Sequence, residues 1–416
     1  MSAHEVPQRT ASSARVLAFI AWPMATCFAY FALGWQTQGL SRYLPVISLW
    51  ATALYLRAKT QIGQGVRATL WVRVLPVLLG LAATVGSILG AQWFGTQSSA
   101  LPFALPLLGF VLISSSTHVD LTKIRQPLMG CILLASIFAY ISAFIRGGWF
   151  DKAAITVFNH EVGFVAVFAV VGAIYLRSRL LMTFALGGVI WLFTLYPAAT
   201  TIVCLIASLT TLVAVAANLG RLGRRVAAGI SIALGFVALA QYKAFEEVVA
   251  KYFEIVGKSD NSSTRYDLSL SAWDRIDGSP MFGDLFTKDL TLRTAVGFAE
   301  IRELPVHNDY LTLAMGGGWV TVALFLSWIM LLNGLVLRTL RTTSGKSAAR
   351  ILVPILCAFN SAMASAIANP VLFKPTASAI VAGMAACLYV TSISVLREQA
   401  GESSSPPTSV KQYAAL

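Results

Sequence analysis

Two side chains stand out as able to do chemistry, His307 and Arg265, and both fall in one polar stretch, Asn261 to Gly318. His307 lies in Pro305-Val306-His307-Asn308-Asp309-Tyr310-Leu311, just ahead of an apolar run that contains Gly316, Gly317 and Gly318. A neutral imidazole at a membrane edge can take a proton from a hydroxyl near neutral pH. A hydrogen-bonded loop histidine with no further role is the equal alternative. Arg265 offers a planar fork that can hold a phosphate through two hydrogen bonds; a solvated loop arginine is the plainer reading. Arg275, Arg293 and Arg302 are its rivals. Between 242 and 306 eleven acids outnumber eight arginines and lysines, so any phosphate site there must be local. Asn159, His160 and Glu161 lie near the outer end of an apolar run. Ionisable groups at such a depth point to function unless they pair with each other. Asn360, Ser361, Ser365 and Asn369 could line a polar cavity or glue helices together.

These residues need a frame, and composition names it. Of 416 residues 57% are hydrophobic and only 12% charged, whereas a soluble protein carries about 25% charge. The apolar residues come in blocks near twenty long, enough to span roughly 30 Å of hydrocarbon. The expected fold is therefore all-α, a polytopic membrane protein with about twelve transmembrane helices and a small helical periplasmic segment. The spans fall near 16–34, 40–56, 72–93, 101–116, 127–145, 154–176, 180–196, 198–218, 226–241, 309–337, 351–369 and 377–396. The net charge of +13 does not point to nucleic acid, because the basic residues sit mostly in short loops. Eighteen of them fall on one side and four (Arg42, Arg146, Lys152, Lys374) on the other. That bias puts both termini in the cytoplasm and segment 242–306 outside.

The chain divides into about nine spans over 1–241, a periplasmic segment over 242–308, three spans over 309–396 and a disordered tail over 397–416. Within the outer segment, Phe245, Val248, Val249, Tyr252 and Phe253 predict an amphipathic helix. Leu270, Trp273 and Ile276 predict a second, opened by Asn261 to Ser263 and broken at Gly278-Ser279-Pro280. Cys27, Cys131, Cys204, Cys357 and Cys387 all lie in apolar runs, so neither a disulfide framework nor a zinc site is expected. No nucleotide-binding loop, dinucleotide fingerprint or zincin helix occurs, and no cofactor or metal is called for.

The order of these features resembles the bacterial O-antigen ligase and O-antigen or exopolysaccharide polymerase family of integral-membrane glycan transferases. The resemblance lies in Ser263-Thr264-Arg265, then Trp273, then Pro280-Met281-Phe282-Gly283; in His307-Asn308-Asp309-Tyr310-Leu311 opening a span; and in nine spans before the outer segment and three after it. The Asn159-His160-Glu161 turn is similar to the family's Asn-Pro-Asn turn. The resemblance implies a fold like that of the multi-span, lipid-sugar-dependent glycosyltransferases in a bacterial inner membrane. It implies transfer of a glycan from undecaprenyl pyrophosphate to a sugar hydroxyl of an acceptor, either lipid A-core or another glycan. His307 would be the general base and Arg265 would bind the departing pyrophosphate. Asn308, Arg275, Arg302, Asn159, His160 and Glu161 would complete the substrate-binding set. Pro197 stands where the family carries a second arginine, with Arg146, Arg275 and Arg302 as candidate replacements, and this tilts the expectation toward a polymerase of repeat units. The competing expectations are a transporter or flippase for a lipid-linked or anionic solute and a scaffold in an envelope complex.

Overall fold

The fold is taken from a computed structural model that describes residues 11–33, 42–59, 70–95, 100–113, 119–120, 124–146, 161–195, 199–216, 262–296, 300–342 and 345–399. It is a bundle of helices: α1 (Ser13–Leu33), α2 (Leu44–Lys59), α3 (Leu70–Phe94), α4 (Leu101–Ile113), α5 (Arg125–Arg146), α6 (Val162–Tyr175), α7 (Arg179–Leu195), α8 (Ala199–Ala216), α9 (Ser262–Asp277), α10 (Asp309–Leu340), α11 (Gly345–Ser365) and α12 (Pro375–Gln399). Five of these are long and apolar enough to cross a membrane, α3, α5, α10, α11 and α12, and six more are shorter apolar helices. The chain is a polytopic helical membrane protein, and the described apolar helices coincide with eleven of the expected spans. The span expected at 226–241, the helix expected around 245–253 and the tail lie outside the described residues.

Helix form follows from the solvent. In hydrocarbon a backbone must pair with itself, and a helix does so within one segment. Prolines persist inside α1, α3, α4 and α11 for the same reason, since neighbours and side chains take up the freed groups. In α1 the carbonyl left open by Pro23 is that of Phe19, one turn back, and it lies against Gly383 of α12. The centre of the bundle is α12, buried nearly all round, with α11 beside it. Its small residues admit close neighbours: α1 approaches at Gly383, and the Cys387 thiol donates to the Val16 carbonyl at 3.0 Å. Around this centre runs a chain of aromatic contacts, Phe103–Phe325–Trp328–Phe359 with Phe110 and Tyr389, at centroid spacings of 5.5–6.0 Å. At one end of the bundle two-residue strands β1 (Ala11–Ser12) and β2 (Val119–Asp120) pair in parallel.

The polar segment departs from expectation. It is not wholly helical: after α9, strands β3 (Thr291–Val296) and β4 (Glu300–Pro305) form an antiparallel hairpin, with Arg293 opposite Glu303 and Thr294 opposite Arg302. Two alternating polar-apolar runs separated by three residues that begin at Gly297 are a hairpin pattern. α9 ends before Gly278 as expected, but its buried stripe is Leu268, Ala272 and Ile276, and Leu270 points outward.

Between α9 and the hairpin the chain turns into the bundle. α10 is broken at Gly318, whose φ of 67° and ψ of −176° no side-chain-bearing residue adopts without strain. The break frees backbone groups, and segment 280–286 takes them up. The amides of Trp319 and Val320 donate to the carbonyls of Pro280 (2.9 Å) and Met281 (3.3 Å). The carbonyls of Met315 and Gly316 accept from the amides of Asp284 (3.0 Å) and Phe286 (2.7 Å). On the other side Leu285 and Phe286 press against Gly86 of α3, where a Cβ would have no room. The glycine cluster thus receives the chain's own outer segment.

Candidate functional site

The first turn of α10 sets the position of His307. Asn308 is its N-cap, extended at φ −147° and ψ 108°, and its Oδ1 accepts from the amides of Tyr310 (3.0 Å) and Leu311 (3.2 Å). Asparagine is among the preferred caps because it satisfies amides that no carbonyl within the helix can reach. Asp309 follows in the first turn, where the helix dipole favours an acid. It is fully buried. Its amide donates to the Ala366 carbonyl at 2.8 Å, and its Oδ2 accepts from the amides of Val371 (2.7 Å) and Leu372 (2.6 Å). The Tyr310 hydroxyl donates to the Met363 carbonyl at 3.0 Å. Asp309 and Tyr310 therefore fix the start of α10 to the end of α11 and to the turn leading into α12, while Asn308 closes its first turn. His307, half-buried, sits one residue before this anchored cap.

The same α11–α12 connection carries Lys374. Its Nζ lies 3.6 Å from Oε1 of Glu161, which is fully buried at the start of α6. This is an ion pair longer than a hydrogen bond. Glu161 thereby reaches the same turn that Asp309 holds, and the two acids meet the connection from α6 and α10. Of the residues singled out from sequence, the structure brings Glu161, His307 and Asn308 to one end of the bundle. Asn308 serves there as a helix cap.

Arg275 goes elsewhere. Its Nε pairs with Asp284 Oδ2 at 2.5 Å, and its Nη1 donates to the Asp289 carbonyl at 2.6 Å, so it braces the turn between α9 and the hairpin. Lys288 joins Asp284 from the other side at 3.0 Å. Arg265 is on α9 and Arg302 on β4 by backbone; their side chains, like those of Arg146 and Arg293, lie outside what the structure describes. Asn159, His160 and Pro197 lie outside the described residues.

Below His307 a groove runs between α8 and α10 over α11. It leaves about 60 Å³ of space open to water-sized molecules. Tyr310, Met363 and Ala364 line its upper end, and Ile329, Leu337 and Leu356 lie along it. Midway, the Asn360 amide donates to Thr211 Oγ1 (3.1 Å) and to Asn333 Oδ1 (3.0 Å). The Thr211 hydroxyl and the Asn333 amide donate in turn to carbonyls one helical turn back, at 2.8 and 3.0 Å. Both residues thus present acceptors, which fixes the orientation of the Asn360 amide. Asn360 is interhelical glue and groove lining at once; Ser361 is glue, donating to the Cys204 carbonyl at 2.7 Å.

Asp309 and Lys374 were not among the residues picked out for the site. An acid beginning a long apolar run is costly to bury, and that cost was the available signal for Asp309. Lys374 reads in sequence only as a loop charge. Among the described residues no group of three or more His, Cys, Asp or Glu is placed to hold a metal ion. Compared with known proteins, the chain matches no protein-family model and no curated protein.

Proposed function

We propose that the protein is a membrane glycan transferase. It would move a glycan from undecaprenyl pyrophosphate to a sugar hydroxyl during surface polysaccharide assembly, with a lean to polymerisation of repeat units over ligation to lipid A-core. In this reading the His307 end of the bundle faces outward from a bacterial inner membrane and both termini are cytoplasmic. The observation that carries it is a half-buried histidine three residues before Tyr310, which lines an apolar groove. A polyprenyl chain suits the groove and its pyrophosphate suits the mouth. His307 then takes the proton of the acceptor hydroxyl as that oxygen attacks the anomeric carbon. The bond to the pyrophosphate breaks, and its charge passes to a cation, assigned to Arg265 on the resemblance alone. The leaving group is already activated, so the step needs a base and a phosphate clamp and no nucleotide. Arg275, held by Asp284 and Asp289, is the weaker candidate for that clamp.

A second reading, transport of a lipid-linked or anionic solute, draws on the Thr211–Asn360–Asn333 network inside the groove. One assay separates the two. Purified protein in nanodiscs is given an undecaprenyl-pyrophosphate glycan with lipid A-core or a second lipid-linked repeat unit as acceptor. Longer chains on the carrier identify a polymerase, and glycan on lipid A-core identifies a ligase. His307→Ala is expected to abolish either product while folding normally. No product with either acceptor removes the transferase reading and leaves transport.

A further inference from the structure

We infer that segment 280–287 is a re-entrant loop that enters the hydrocarbon from the His307 side and contacts lipid chains within the leaflet on that side. The loop is wedged between α3 and α10, both of which qualify as spans. A helical ruler on α3 gives its depth. On α3 the exposed Trp93 and Phe94 mark an interfacial aromatic belt. Gly86, which touches Leu285, lies seven residues inward of Trp93, about 10 Å at 1.5 Å per residue. Half a hydrocarbon core is about 15 Å. The loop at Leu285 thus lies about two thirds of the way from that belt toward the midplane.

The loop's own chemistry fits that depth. Its backbone is irregular, with φ of 57°, 51° and 58° at Gly283, Leu285 and Phe286. Irregular backbone survives at membrane depth only where protein satisfies it, and the broken turn of α10 does so. Its charges are paired, Asp284 to Arg275 and Lys288. Its outward side chains are apolar: Met281, Phe282 and Leu285 are 57%, 57% and 60% exposed. They adjoin the exposed Val85 and Ile88 of α3 and extend its lipid-facing strip. The occupant of this face is lipid hydrocarbon. Water would not tolerate three adjoining large apolar side chains, and at this depth no soluble partner can reach them.

Site-directed spin labelling tests the inference. The five native cysteines are buried, so wild-type protein supplies the labelling blank. Met281→Cys, Leu285→Cys, Lys288→Cys and the reference Val85→Cys are labelled in detergent and reconstituted into phosphatidylethanolamine–phosphatidylglycerol vesicles. Collision with oxygen, which concentrates in hydrocarbon, is compared with collision with a water-soluble nickel chelate. The labels at 281 and 285 are expected to match the label at 85, favouring oxygen several-fold over the label at 288. Preference for the nickel chelate at 281 or 285 would place the loop in water and overturn the inference. Low collision with both reagents, with dipolar broadening between labels, would mean that a second copy covers the face, and this too would overturn it.

Discussion

Gly318→Ala isolates the junction on which the outer segment rests. An alanine there must hold a backbone conformation almost confined to glycine, which costs about 1–3 kcal/mol. Its Cβ would also fall well inside contact distance of the Met281 carbonyl and the Phe282 amide. Both are backbone atoms and cannot rotate away, so the loop must lift. Lifting strains or breaks the four backbone hydrogen bonds between 280–286 and the broken turn, each worth about 0.5–1.5 kcal/mol net. The total is roughly 3–9 kcal/mol if all four are lost, and no less than the backbone cost of about 1 kcal/mol if only part of the loop moves. Gly334→Ala is the internal control. It lies further along the same helix with nothing within 4 Å of a new Cβ, and alanine there should stabilise by about 0.5–1 kcal/mol. Thermal unfolding of the two variants in one detergent, followed by tryptophan fluorescence, should show Gly318→Ala melting well below wild type and Gly334→Ala at or slightly above it. Equal melting of the two would show that the loop does not depend on this turn, and the account of the α10 break would fail.

Two further predictions concern the anchored mouth. Asp309→Ala should destabilise by about 2–6 kcal/mol, since two buried amides lose their acceptor at about 1–3 kcal/mol each; Asp309→Asn, which keeps an acceptor, should fall between it and wild type in the same melt. Lys374→Met should cost about 3–5 kcal/mol by leaving Glu161 buried without its cation. Adding Glu161→Gln should recover most of that loss, and a double variant no more stable than Lys374→Met would mean that the pair is not what Lys374 supplies.

The spans were legible because their rule is local: a long enough apolar run must become a helix in lipid. Asn308, expected to bind substrate, is instead the cap of α10, and a polar residue ahead of an apolar run was the signal for it. Segment 280–286 was not legible. Met281-Phe282-Gly283-Asp284-Leu285-Phe286 is too short to span and too mixed to show a period. Its place is set by glycines about 30 residues ahead of it and about 200 behind. The hairpin was overlooked for a different reason. Each run is only six residues long, and in a chain so rich in helix the alternation of Thr291–Val296 and Glu300–Pro305 was outweighed.

The α11–α12 connection explains why costly charges gather at one end of the bundle. A turn between two spans could be satisfied by water, yet here its amides at Val371 and Leu372 face a buried acid and its lysine faces another. Solvent alone would hold such a turn loosely. Two buried carboxylates, arriving from helices far apart in sequence, hold it from two sides and tie α6, α10, α11 and α12 into one rim. Rigidity at that rim passes directly to His307, because only Asn308 separates it from Asp309, and Asn308 is itself fixed as the cap. In the proposed transfer, where His307 is the base, such fixation helps it meet a hydroxyl within hydrogen-bond reach. The prediction for activity is therefore specific. Asp309→Asn should lower turnover more than it raises the donor concentration needed for half-maximal rate. It loosens the frame of the base and leaves the apolar groove below intact. Equal turnover in Asp309→Asn and wild type would separate the rim from the chemistry.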